Sequence, residues 1–356
     1  MNDNMYSSLG NLSALRTLSG LITNVNPGPV GPPGPDGEGL QVTLSIDDEP
    51  RQLTLPPDAG RFDRWAVTNA LKTRRPVYAT VDNGQIVAVR RPVVGRVSSF
   101  EVHADGPIHF TVDSSPRRFV LPAEHDARLA TILERSSNSG GIVMVDIDLS
   151  GAVLHVDPAP WEAWDLAPMR LIVGAQKLSA IKLGRVKVSD VPGLFQFLAK
   201  EACPIGAPTT ACIPFNFPDT GCNARAHKMC TILAKQSVAS AKAWLFDPHM
   251  VIATRNAQGR CEIGWSYHVV PYVRVHGTGP ASVRVLEPAL FPGPVTLHAF
   301  VTGLHSSSRH IKYSRQEVYE MSEDGSASLE RTGQCDDDLD EYREEAAERN
   351  PQPPYC

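Results

Sequence analysis

The chain has 356 residues, 42% of them hydrophobic, enough for two or three domains with real cores, which excludes global disorder. It contains no run of about 18 apolar residues, so no membrane span is expected. The formal charge of −5 divides unevenly: 12 acidic and 3 basic residues lie from Glu320 onward, 27 and 31 before it, a balance that argues against a nucleic-acid binder.

The first residues, Met1-Asn2-Asp3-Asn4, lack the charged-then-apolar layout of a signal peptide. That is compatible with a cytosolic chain, a processed one, or export by a signal-independent route. The first half then reads as a tandem repeat, units 1–94 and 95–160. Arg51-Gln52-Leu53-Thr54-Leu55-Pro56 echoes Arg117-Arg118-Phe119-Val120-Leu121-Pro122, and Gly84-Gln85-Ile86-Val87-Ala88-Val89 echoes Gly151-Ala152-Val153-Leu154-His155-Val156. Each unit predicts three alternating strands, a helix (about 60–73 and 124–135), then a hairpin turning at Asp82-Asn83-Gly84 or Leu149-Ser150-Gly151. That order is the order of an OB-like small barrel. Few aromatics fall on the strands, which disfavours base stacking. A Gly/Pro-rich segment, 27–39, interrupts the first unit alone and reads as a polyproline-like loop.

Pro158-Ala159-Pro160-Trp161 reads as a linker into a third region, 161–320. There a helix is predicted from Ser189 or Asp190 to Ala202, a loop from 201 to 221, and a helix from Cys222 to about Gln236. Strands follow over 241–246, 265–275 and 281–286, so the region is α+β. The tail, 321–356, reads as acidic and flexible.

Five of the seven cysteines (Cys203, Cys212, Cys222, Cys230 and Cys261) fall in the α+β region. One nucleophile and three disulfides would account for all seven; reduced, buried thiols would equally. No Cys-x-x-Cys pair occurs, so no metal site is expected, and no cofactor motif is present. Cys222 stands where a loop enters a helix, with Asp219 or Thr220 as candidate caps. A thiol attacks only as thiolate, a form that a helix N-terminus or an adjacent histidine favours. His268, in Trp265-Ser266-Tyr267-His268, is the candidate base, and Glu287 the acid that would orient it. The N–H of Cys222, with Asn223 or Trp265 as a second donor, would make an oxyanion hole. Each of the three also has a plain structural reading: a small core thiol, a half-buried ring, a surface strand end. His227 lies about 140° round the helix from Cys222 and reads as a packing residue; His305 and His310 read as loop histidines.

The segments Cys212-Ile213-Pro214-Phe215-Asn216-Phe217-Pro218, Gly221-Cys222-Asn223-Ala224-Arg225-Ala226-His227-Lys228-Met229, Trp265-Ser266-Tyr267-His268-Val269 and Leu286-Glu287-Pro288-Ala289-Leu290-Phe291 resemble the bacterial protein-glutaminase family, over roughly 194–296. The resemblance implies a papain- or transglutaminase-like catalytic domain that hydrolyses glutamine side-chain amides in proteins or peptides and releases ammonia without a cofactor. It implies Cys222 as nucleophile, His268 as base and Glu287 as orienting acid, where the family normally has aspartate. It also implies a Cys203–Cys212 disulfide. The repeat half occupies the place of the family's inhibitory propeptide; docking of a host or other target protein is the alternative. Transglutaminase-like transfer to amines and an inactive binding protein are the rival readings.

Overall fold

The computed structural model describes residues 15–26, 39–46, 49–103, 106–147, 152–159, 175–204, 212–252, 263–306, 310–330 and 333–348. The linker around Trp161, most of the Gly/Pro-rich segment, Cys261 and Cys356 lie outside them. Among the described residues no helix is long and apolar enough to cross a membrane.

The first unit runs β1 (Arg16–Asn26), β2 (Leu40–Ile46), β3 (Glu49–Leu55), α1 (Arg61–Thr73), β4 (Pro76–Asp82) and β5 (Gln85–Arg90), and its strands close into a barrel in the order β1-β2-β3-β5-β4. Alternation buries Val42, Leu44, Leu53, Leu55, Val77 and Ala79 inside, and α1 adds Ala66, Val67 and Ala70. The second unit has the same element order: β6 (Val93–Val102), β7 (Ile108–Val112), β8 (Arg118–Leu121), α2 (Ala127–Ser139), β9 (Ile142–Ile147) and β10 (Val153–Pro158). It is not a closed barrel but an open sheet, β10-β9-β6-β7-β8. In the first unit the parallel pair Thr54↔Gln85 closes the ring; β8 has only four residues and pairs with β7 alone.

The two units are bolted together. The Arg90 guanidinium donates to both oxygens of buried Asp146 (2.8 Å from Nε, 2.9 Å from Nη2), and the Tyr78 hydroxyl donates to Asp157 at 2.9 Å.

The third region places α3 (Val191–Ala199) and α4 (Cys222–Lys235) before β11 (Ala241–Ile252), β12 (Ile263–Arg274), β13 (Val283–Val285) and β14 (Val295–Thr296); α5 (Leu297–Gly303) and β15 (Ile311–Arg315) follow. These strands form one sheet, β14-β13-β12-β11-β15. Strand β12 is buried almost throughout, because α4 packs against it and the β11 ladder covers one edge from Ile263 to Tyr272.

The tail departs from expectation. Val318–Met321 (β16) and Ala327–Leu329 (β17) form a hairpin, and Gln334–Glu348 form a helix, α6. Cys335, Leu339, Arg343 and Ala346 are buried there, so α6 is anchored rather than solvated. Its apolar anchors are sparse, and composition hides them among eight acidic residues.

Candidate active site

The loop before α4 is shaped by one guanidinium. Arg225 is fully buried; its Nη1 donates to the carbonyls of Phe217 (2.8 Å) and Thr220 (2.5 Å), and its Nη2 to that of Pro218 (3.4 Å). The Trp265 indole N–H donates to the carbonyls of Pro218 and Asp219, both at 3.2 Å. With its carbonyls turned inward, the loop enters the helix through Gly221 in the left-handed region (φ 69°). A Cβ on Gly221 would also stand 2.2 Å from the Tyr342 ring of α6. Glycine is therefore required there twice over.

The N-cap position of α4 falls on Gly221, one residue past the expected Thr220 and two past Asp219, so Cys222 and Asn223 are the first two residues of the helix. One expectation is corrected here. Trp265 supplies no free indole donor, because its N–H already binds the loop; it positions the cysteine segment instead.

Cys222, His268 and Glu287 are brought together. All three are buried, at 0%, 0% and 1% exposure, and Cys222 packs among Ala226, Trp244, Tyr267, Val269 and the hairpin residues Val318 and Met321. His268 lies on β12 opposite Leu245 of β11, and Glu287 sits just past β13 rather than within a strand. His268 Nε2 is 3.2 Å from Glu287 Oε2, while Glu287 Oε1 accepts the N–H of Ala289 at 3.0 Å. The longer side chain thus reaches the ring and is held by its own backbone. The His268 ring packs between Trp265 (centroids 5.0 Å) and Phe300 (6.1 Å).

Burial alone would lower the His268 pKa. Interaction with the Cys222 thiol, and then with Glu287, outweighs it and pushes the ring up to about 9. Nδ1 makes no hydrogen bond of ordinary geometry, so the Cys222 contact is one of proximity to an open ring nitrogen.

His227 is not part of this group. Its Nδ1 is 3.1 Å from Lys242 Nζ and its Nε2 3.1 Å from Glu330. Burial first, then the Lys242 charge, lower it to about 3 and keep it neutral. His305 and His310 lie at loop positions. Cys203 and Cys212 are joined in a disulfide, whereas Cys230 and Cys335 are free and buried, which overturns three disulfides. No group of three metal-ligating side chains occurs among the described residues.

The N-terminal half touches β12 two to three residues before His268. The β7–β8 turn pairs with the edge of β12: Ser266 N–H donates to the Pro116 carbonyl at 2.7 Å, its hydroxyl to the same oxygen at 3.1 Å, and Arg117 bridges to Trp265. A cavity of about 110 Å³ beside Thr220 and Asn223 is lined by Arg75, Arg91 and Arg117 from the N-terminal half and by Asp338 and Glu341 from α6.

Residues 191–303, the segment that carries α4, His268 and Glu287, match the glutaminase family. This defines the class: the chain is an enzyme of glutaminase type. Within that class, protein-glutaminases are what its fold resembles. Its fold is similar to that of a crystal structure of pro-protein-glutaminase, at 20% identity, covering 67% of this chain and 87% of that one with a TM-score of 0.54. A mutant of pro-protein-glutaminase gives 22%, 67%, 88% and 0.52. An NMR structure of protein-glutaminase from Chryseobacterium proteolyticum is 27% identical over 41% of this chain and 81% of that one, with a TM-score of 0.36. Comparison with curated proteins finds no match.

Proposed function

We propose that the chain deamidates protein-bound glutamine with Cys222 as nucleophile, His268 as acid and base, and Glu287 as orienter. The observation that carries this reading is the polarity of the His268 ring. Glu287 takes Nε2, leaving Nδ1 open on the ring that interacts with the Cys222 thiol at the start of α4.

In this reading the Cys222 thiolate, with the imidazolium as counter-ion, attacks the amide carbon. The N–H groups of Cys222 and Asn223 stabilise the resulting oxyanion. The C–N bond breaks as nitrogen takes the proton from His268, and ammonia leaves a thioester. Water then gives a proton to His268 and attacks; the C–S bond breaks and glutamate is released with the thiolate restored. The helix-first, strands-after core is of papain and transglutaminase kind on this account, and the N-terminal half is a pair of OB-like units.

The same half serves as an inhibitory pro-region, supported by the Pro116–Ser266 and Arg117–Trp265 contacts two to three residues from His268. The test is ammonia release from a glutamine-rich protein: Cys222→Ala abolishes it, and removal of residues 1–160 raises it. Activity surviving in Cys222→Ala overturns the mechanism; an unchanged or lower rate on every substrate after removal overturns the inhibitory role.

A further inference from the structure

Among the described residues, the ion pairs that run from the first barrel to the C-terminal part of the chain all end on α6. Arg61 pairs with Glu344 at 2.7 Å, Lys72 with Asp337 at 3.1 Å, Arg75 with Asp338 at 2.8 Å and Glu341 at 3.4 Å, and Arg91 with Glu341 at 2.8 Å. The four bases come from α1, the β4 entry and the β5 exit, and the four acids make one stripe on α6. The opposite side of α6 grips the cysteine loop: Tyr342 closes on Gly221, Cys335 Sγ donates to Ala224 O, and Arg343 donates to the Cys212 carbonyl at 2.7 Å.

With eight acids and one base in fifteen residues, α6 carries like charges at i and i+4, such as Asp337–Glu341 and Glu341–Glu345. Such a helix repels itself unless cations lie along it, which states what an occupant of the stripe must be. Because Arg90 and Asp146 bind the two N-terminal units to each other, lifting the first from α6 also pulls the Pro116 turn from Ser266.

We propose that this ion-pair interface is the latch of the covered state, and that a lysine- or arginine-rich polypeptide opens it by taking the α6 carboxylates from the first barrel. The outer pairs, Arg61–Glu344 and Lys72–Asp337, whose bases are exposed, are individually weak and screened by salt, so they exchange first for another cation-bearing chain, while Arg75 and Arg91 hold the buried inner pairs that must follow. The proposal rests on the N-terminal half covering the site. Its test reads that cover rather than glutamine chemistry, so the two fail separately.

The measurement is the rate of alkylation of Cys222 by iodoacetamide in the full chain, located by mass spectrometry, with octalysine as the probe. At low salt octalysine raises the wild-type rate roughly tenfold, and high salt removes its effect. Arg61 and Lys72 are 63% and 71% exposed, so Arg61→Glu/Lys72→Glu keeps the fold and is alkylated fast without the peptide. Adding Asp337→Lys/Glu344→Lys restores slow alkylation and insensitivity to octalysine. A wild-type rate unmoved by octalysine, or an Arg61→Glu/Lys72→Glu rate equal to the wild type, overturns the proposal.

Discussion

On the proposed mechanism, three side chains determine whether Cys222 is poised. Glu287 holds the ring by Nε2, so Glu287→Gln keeps the shape and removes the charge that fixes the tautomer. The expected loss in kcat is on the order of 10²–10⁴, with little change in KM, measured as ammonia release. Glu287→Asp should recover part of it, its shorter reach being the limit. Arg225 organises three loop carbonyls from full burial, so Arg225→Met strands them and should cost roughly 3 kcal/mol in denaturant unfolding. His268 gives the pH signature. Its folded pKa of about 9 lies above the unfolded value near 6.5, so its contribution is fully present below about pH 6.5 and is lost as pH rises through about 9. Unfolding followed across that window should show wild type losing stability that His268→Gln does not lose; parallel curves would contradict the assignment.

At the scale of elements, the helix start and the strand bearing His268 were legible in the sequence, because Gly221-Cys222 and the alternating run at Trp265 are local signals. What local signals could not give was the manner of support. The loop before α4 is turned by Arg225, whose carbonyl partners are near in sequence but whose burial is not marked there, and by Trp265, whose partners lie more than 40 residues away. A buried arginine one turn into a helix, after a proline-rich loop full of unpaired carbonyls, was the available clue. Trp265 looked like an oxyanion donor because a free indole N–H and a bound one read alike in sequence. The element-scale prediction is Gly221→Ala. It meets both the left-handed backbone and the Tyr342 ring, so it should destabilise α4 by about 1–3 kcal/mol and slow ammonia release. Tyr342→Ala in the same chain relieves only the clash and should recover only part of that loss.

At the scale of the molecule, the repeated element order of the N-terminal half was legible from period and turns, but the open second sheet was not, because closure depends on four residues in β8 reaching β10. The tail was misread for a compositional reason: acidity marks solvated chain unless a basic surface faces it, and that surface, Arg61, Lys72, Arg75 and Arg91, lies some 250 residues earlier. The ends of the described chain thus meet, with α6 standing between the first barrel and the cysteine loop.

The whole account depends on Cys222 turning side-chain amide into acid. Its most direct measurement is peptide mass spectrometry of a glutamine-rich protein incubated with the chain freed of residues 1–160, beside the same species carrying Cys222→Ala. The account predicts amide-to-acid mass gains at glutamine with the first and none with the second. Equal gains with both, or conversion confined to asparagine, would contradict it.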